Sequence, residues 1–127
     1  MSLVNLKQIL KEAKKGRYAV GAFNIYNIED ITAVIRAAEK LKTAVILMTS
    51  ISATEHSSLE ELSFIIRNRA EKASVPVCLH LDHADDYEII IKAIHAGYTS
   101  VMYDGSMLPY EENVQNTKDV MKVAAPL

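Results

Sequence analysis

Short apolar runs alternate with amphipathic segments along the whole chain. Several runs are apolar at nearly every position, which is typical of parallel strands that are covered on both faces. The four predicted strands span residues 18–23, 43–48, 75–81 and 99–103. Between them, apolar residues recur three and four positions apart, which predicts amphipathic helices. These helices span residues 5–15 and 27–40 and begin near residues 58, 85 and 109.

Polar residues at the helix ends support these boundaries. Asn27 is a suitable N-cap for the second helix. Residues 58–61 read Ser-Leu-Glu-Glu, which is the S-x-x-E pattern of a capping box. Asp85 or Asp86 caps the fourth helix, and Gly97 ends it. Tyr87 is predicted to lie on the buried face of that helix.

The order of elements predicts an α/β fold. One leading helix and four β–α units imply a parallel sheet with right-handed crossovers. Two architectures are compatible with this order: an open doubly wound sheet, or part of a (β/α)₈ barrel. A whole barrel needs roughly 250 residues, and this chain has 127. Only four glycines occur, none in a phosphate-loop or dinucleotide-binding spacing, which favours about half of a barrel.

Composition excludes several classes of partner. The net charge of −2 and the scattered basic residues argue against nucleic acid. No apolar run is long enough to cross a bilayer, and the first residues do not resemble a secretory leader. The single cysteine, Cys78, cannot form an internal disulfide. We therefore expect a soluble protein of the cytoplasm.

Polar residues follow each of the four predicted strands. They are Asn24 after the first strand, Thr49 and Ser50 after the second, Asp82 and His83 after the third, and Asp104 after the fourth. Carboxyl ends of parallel strands lie on one side of an α/β protein, where such folds place their active sites. Taken singly, Asn24 and Ser50 also suit turns or helix caps, and Asp104 before Gly105 also suits a turn.

The third strand ends in the most informative group, His80-Leu81-Asp82-His83. Strand alternation places Cys78, His80 and Asp82 on one face. Two imidazoles and a carboxylate at the end of a buried strand need partners, because burial of unpaired polar groups is unfavourable. Histidine is a common zinc ligand and aspartate a natural acid–base group. The group is incomplete as a catalytic zinc site, which usually takes three protein ligands.

Three motifs resemble those of the class II fructose-bisphosphate and tagatose-bisphosphate aldolases. They are Y-A-V-G-A-F-N at residues 18–24, P-V-C-L-H-L-D-H at residues 76–83, and A-G-Y-T-S-V-M-Y-D-G-S at residues 96–106, followed by L-P-Y-E-E-N at residues 108–113. The resemblance extends over residues 6–123. It implies that residues 1–127 are the N-terminal half of a (β/α)₈ barrel.

The resemblance also implies a role for each candidate residue. Asp82 takes the place of the aspartate that exchanges a proton at the cleaved carbon, and His83 takes the place of a zinc ligand. Zinc would then act as a Lewis acid on the ketone of dihydroxyacetone phosphate. Asn24 and Ser50 match positions that line the substrate site. Asp104 matches an acidic residue beside the metal.

His80 is expected to support Asp82 from the same strand face. The family's other zinc ligands, a glutamate and two histidines, come from later strands that these 127 residues do not include, as do its phosphate-binding loops. The implied activity is zinc-dependent cleavage of fructose 1,6-bisphosphate, or a close ketose bisphosphate, to dihydroxyacetone phosphate and an aldehyde. Residues 104–106, Asp-Gly-Ser, favour the fructose-bisphosphate branch.

Two further hypotheses remain open at this point. The chain is a non-catalytic half barrel that needs a second half or self-association, because half a barrel leaves two edge strands unpaired. Alternatively, it acts on another phosphorylated sugar, such as a deoxygluconate phosphate. Residues 50–54 lack the glycine common in the family, and D-H-A at residues 82–84 replaces the more usual D-H-G, which leaves the substrate open.

Overall fold

A parallel four-stranded sheet organises the molecule, for which a computed structural model describes residues 2–125, apart from the side chain of Glu55. The strands are β1 (Gly21–Asn24), β2 (Val45–Ser50), β3 (Val77–Ala84) and β4 (Ser100–Tyr103). The helices are α1 (Leu6–Gly16), α2 (Ile28–Leu41), α3 (Leu59–Lys72), α4 (Tyr87–Ala96) and α5 (Tyr110–Ala124). A short 3₁₀ segment, Ile51–Glu55, follows β2.

The strands lie side by side in the order β1-β2-β3-β4, and all neighbouring pairs are parallel. A doubly wound sheet reverses its strand order at a switch point, so that helices cover both faces. No reversal occurs among the strands that the structure describes. Successive right-handed crossovers therefore place α2 to α5 on one face, as in a (β/α)₈ barrel. The prediction of barrel-type β–α units is confirmed.

The two faces of the sheet pack against different elements. On the outer face, Leu47, Leu79 and Leu81 are fully buried in one cluster with residues of α2 to α5. On the inner face, Ile46 and Cys78 are covered by α1. The alternation predicted for β3 is confirmed from Val77 to Leu81, because Val77, Leu79 and Leu81 face the outer helices. The inner face also holds His80, Asp82 and Ser50 near the strand ends.

Side-chain capping sets the helix starts as predicted. Asn27 Oδ1 accepts a hydrogen bond from the N–H of Asp30 at 2.8 Å. Ser58 and Glu61 form a reciprocal capping box, and Asp86 caps α4. Each such cap stabilises a helix by about 1 kcal/mol.

The prediction for Tyr87 is wrong. Its side chain is 43% exposed and lines a groove between α4 and α5 together with Tyr103 and Asn116. Tyr87 is the first residue of α4 and lies at this groove instead of against the sheet.

No helix within residues 2–125 has the length and apolar character of a membrane span.

Two strands extend two or more residues further at their carboxyl ends than predicted. β2 continues to Ser50, and β3 continues to Ala84. The ladder between them runs on through the polar positions, pairing Ser50 with Asp82. Strand backbone therefore holds these side chains in register.

Candidate active site

The candidate residues meet at the carboxyl ends of the strands. Asn24 ends β1 and Ser50 ends β2. Asp82 and His83 lie just before the end of β3. Asp104 follows β4 directly, and its N–H donates to the carbonyl oxygen of Ala84 at 2.8 Å. Parallel pairing brings these ends to one side of the sheet, so the predicted convergence is found.

An irregularity at the end of β3 redirects His83. The register of β3 with β4 shifts between Leu81 and Ala84, and His83 has a left-handed φ of 51°. A non-glycine residue in this region is strained by about 1–3 kcal/mol, and such residues cluster at functional sites. The turn breaks the strand alternation, so His83 lies beside Asp82, with Nε2 3.9 Å from Oδ1.

His83 and Asp104 form a close pair. Nδ1 of His83 donates to Oδ2 of Asp104 at 2.6 Å, and the N–H of Ser106 donates to Oδ1 of Asp104 at 3.0 Å. Hydrogen bonds from Ser106 and then from His83 lower the pKa of Asp104 to about 2. The bond to Asp104, followed by the charge of Asp82, raises the pKa of His83. A carboxylate behind one ring nitrogen is the arrangement that orients metal-binding histidines.

His80 lies deeper, on the same face as Asp82. Its ring is nearly buried, with Nδ1 2.7 Å from Ser100 Oγ and Nε2 3.9 Å from Asp82 Oδ1. Burial, the largest effect, lowers the pKa of His80, and the charge of Asp82 partly opposes that shift. Ser100 was missed by the sequence reasoning. Its place could not be found from the sequence alone, because only the folded sheet fixes the register that pairs Ser100 with His80.

The two predicted substrate residues occupy the adjoining strands. Ser50 is paired in register with Asp82, and its hydroxyl is 2.8 Å from that of Ser52. Asn24 is exposed at the end of the edge strand β1 and is paired in register with Met48. The structure therefore groups Ser50 closely with Asp82, whereas Asn24 lies two strands away from it.

The described side chains can supply part of a metal site, but they do not form a whole one. Catalytic zinc usually takes three protein ligands. Within residues 2–125, no group of three histidine, cysteine, aspartate or glutamate side chains is arranged to hold an ion. His83 offers one imidazole, whose ring is 61% exposed. Cys78 offers no thiolate, because burial raises its pKa to about 11.

Comparison with known proteins decides the family. The family described as fructose-bisphosphate aldolase class-II matches residues 4–127. The chain belongs to the class II fructose-bisphosphate aldolase family. The predicted resemblance is thereby confirmed, and the motifs that carry it lie in β1, β3 and β4.

Relatives within the family are similar over nearly the whole chain. The fructose-bisphosphate aldolase of Geobacillus stearothermophilus is 43% identical over 127 residues, which is 98% of this chain and 44% of that protein. The enzyme of that name from Giardia intestinalis is 42% identical, covering 98% of this chain and 39% of the relative.

Solved structures of the family have the same fold. The YdjI aldolase of Escherichia coli K12 matches with a TM-score of 0.92 at 35% identity, covering 98% of this chain and 47% of that one. A fructose-1,6-bisphosphate aldolase from Coccidioides immitis, described as putative, matches with a TM-score of 0.89 at 32% identity, covering 96% of this chain and 43% of its own. This class II aldolase chain thus spans less than half the length of each of these proteins.

Proposed function

We propose that the chain is the N-terminal half of a zinc-dependent class II aldolase that cleaves fructose 1,6-bisphosphate, or a close ketose bisphosphate. The products are dihydroxyacetone phosphate and an aldehyde. The observation that carries the proposal is the His83–Asp104 pair beside Asp82, at the carboxyl end of barrel strands in a chain of this family. An acid–base carboxylate and an oriented imidazole stand side by side, as the reaction requires.

Asp82 is the proposed proton carrier. In the cleavage direction, its carboxylate takes the proton of the hydroxyl group on the carbon that becomes the aldehyde. The electron pair of the broken C–C bond stays on the dihydroxyacetone phosphate fragment as an enediolate, whose carbon then takes up a proton to give dihydroxyacetone phosphate while Asp82 returns its own proton to solvent. In the reverse direction the same carboxyl returns the proton to the new hydroxyl. The side chain of Asp82 is 16% exposed, which leaves one edge open to substrate while the strand fixes the rest.

His83 would hold one position of the zinc ion, and the remaining ligands would come from the second half of the barrel. Zinc supplies a Lewis acid that stabilises the negative charge on the ketone oxygen. Asp104 holds the ring of His83 from the other side through Nδ1. Ser50 and Asn24 are proposed to bind the substrate through their hydroxyl and amide groups.

The edges of the sheet favour a partner that completes the barrel. β1 reads Gly-Ala-Phe-Asn and β4 reads Ser-Val-Met-Tyr, without a charged residue or a proline. Protected edge strands normally carry such residues. Phe23 is 49% exposed and Met102 36% exposed. We infer that both edges pair with further strands, from a complementing second half or from another copy of this chain in a homo-oligomer.

The second candidate function follows from the same edges: a half barrel that self-associates without catalysis. Sedimentation of the chain, alone and mixed with a second half, distinguishes a dimer of this chain from a complex with that half. A stable dimer without aldolase activity favours this candidate. A chain that binds a second half in preference to itself favours the aldolase.

The single buried cysteine also supports a reducing compartment, and we propose the cytoplasm.

The test of the aldolase proposal is a cleavage assay on a completed barrel. The chain is co-expressed with the second half of the Geobacillus stearothermophilus aldolase, and dihydroxyacetone phosphate is measured by coupled NADH oxidation. We expect zinc-dependent cleavage that Asp82→Asn abolishes and that Asp85→Asn, a nearby exposed control, leaves intact. A well-folded complex that cleaves no ketose bisphosphate would refute the proposal. Preference for tagatose 1,6-bisphosphate or a deoxygluconate phosphate would instead correct the substrate.

A further inference from the structure

A serine at the start of β4 lies against His80 on the inner face of the sheet. Ser100 Oγ is 2.7 Å from Nδ1 of His80, and the two residues are paired in the parallel register. The other ring nitrogen, Nε2, is 3.9 Å from Oδ1 of Asp82. His80 is only 9% exposed. One buried imidazole therefore links a hydroxyl group on β4 to the carboxylate on β3.

The surroundings of His80 select one form of its ring. Burial lowers the pKa of His80, so the ring is neutral and carries a single proton. An N–H group facing the Asp82 carboxylate is attracted to it, whereas a nitrogen lone pair at that position is repelled. The proton therefore belongs on Nε2. Nδ1 is then an acceptor, and the short contact with Ser100 needs the hydroxyl as donor.

We propose that Ser100 is a positioning residue for Asp82. Its hydroxyl donates a hydrogen bond to Nδ1 of His80 and so holds the Nε2–H dipole toward the Asp82 carboxylate. A separation of 3.9 Å is too long for a hydrogen bond, so this last link is an attraction between charge and dipole. The catalytic meaning of the arrangement rests on the proposed role of Asp82 as proton carrier. The arrangement itself is a property of the folded chain without substrate or metal.

Nuclear magnetic resonance of the ¹⁵N-labelled chain tests the arrangement directly. Long-range ¹H–¹⁵N spectra report which ring nitrogen of each histidine carries the proton. The His80 signals are assigned by their loss in a His80→Gln variant. In the wild-type chain we expect Nε2 protonated, and Nδ1 unprotonated with the shift of a hydrogen-bonded acceptor. A proton on Nδ1 would overturn the proposal without any further variant.

Substitution of the serine tests its part. In Ser100→Ala we expect the Nδ1 resonance of His80 to move to the position of a nitrogen without a hydrogen bond. The ring signals should also broaden, because the ring samples a second orientation. Ser100→Thr keeps the hydroxyl and should restore the wild-type shift. Ser63→Ala is the matched control: it removes another buried serine hydroxyl, which donates to the Ala96 carbonyl at 2.6 Å, and should leave His80 unchanged.

Substitution of the carboxylate tests the link to Asp82. Asp82→Asn removes the charge that favours the Nε2–H form of His80. The ratio of the Nε2–H to the Nδ1–H form of His80 should therefore fall in this variant. An unchanged ratio would overturn the proposal, as would unchanged His80 spectra in Ser100→Ala.

The outcome separates the positioning role from the proposed function. A completed barrel that is inactive, in a chain with the expected His80 spectra, refutes the aldolase proposal and leaves the Ser100–His80–Asp82 arrangement intact. An active barrel in which Ser100→Ala changes neither the His80 spectra nor kcat refutes the positioning role alone. If Ser100→Ala does not fold, the wild-type and Asp82→Asn spectra decide.

Discussion

The strand that carries the site is held by its outer face, and Leu81→Ala tests that attachment. Leu81 precedes Asp82 in β3 and is fully buried in the cluster formed with the outer helices. Its side chain points away from the site, so the substitution removes packing without removing any site group. We expect a large loss of stability together with a loosened end of β3.

The magnitude follows from the buried side chain. Leucine to alanine removes about three methylene equivalents at about 0.8 kcal/mol each, or about 2.4 kcal/mol of transfer free energy. The cavity adds a further penalty, and buried Leu→Ala substitutions fall between about 2 and 5 kcal/mol. We expect the free energy of unfolding of Leu81→Ala to fall by about 3–4 kcal/mol. A domain of this kind has only about 5–15 kcal/mol in total.

Urea unfolding followed by circular dichroism measures the loss. With a slope of about 1.5–2 kcal/mol per molar urea, the midpoint should fall by about 2 M. Leu41→Ala is the matched control, because Leu41 is 73% exposed at the end of α2. Its free energy of unfolding should change by at most about 0.5 kcal/mol. Equal effects of the two substitutions would refute the packing of β3 described above.

Three further predictions concern buried and paired groups. Tyr98→Phe removes the phenol oxygen that lies 2.8 Å from the Thr49 hydroxyl and leaves that hydroxyl buried without this partner. Urea unfolding should therefore show that the free energy of unfolding falls by about 1–3 kcal/mol. If Tyr98→Phe costs as much in a Thr49→Val background, the lost hydrogen bond is not the cause. Asp104→Asn should lower the pKa of His83 in an NMR titration, because the carboxylate raises that pKa in the folded chain. The stability that this pair contributes is present below the pKa of histidine in the unfolded chain and is lost as pH rises through the pKa of His83 in the folded chain. An unchanged titration of His83 would exclude the pairing. Cys78 should resist a thiol reagent at neutral pH until the chain unfolds, since burial raises its pKa to about 11; rapid labelling of the native chain would show that the inner face is open there.

The elements were predictable because each has a local cause. Asn27, the Ser58–Glu61 capping box and Asp86 set helix starts through contacts within four residues. Apolar runs identified the strands, and the alternation of helices and strands limited their pairing to parallel. The choice between a barrel and a doubly wound sheet needed strand order, which depends on contacts between distant segments.

The sequence allowed the residues of the site to be predicted, but their arrangement only in part. The position of Asp82 follows from alternation along β3. The left-handed φ of His83 does not, because it accompanies a register shift between two strands that only the folded sheet shows. Ser100 was overlooked because a serine inside a strand gives no chemical signal until its neighbour across the sheet is known.

His83 is proposed to supply one ligand of a zinc site shared with the second half of the barrel. Calorimetric titration of the completed barrel with zinc tests this proposal most directly, with His83→Ala beside His95→Ala, an exposed histidine of α4. Wild-type and His95→Ala complexes should bind zinc equally. His83→Ala should lose more affinity than the roughly 10- to 100-fold that removal of an outer hydrogen-bond partner causes. A His83→Ala complex that binds zinc as tightly as wild type would show that His83 is not a zinc ligand.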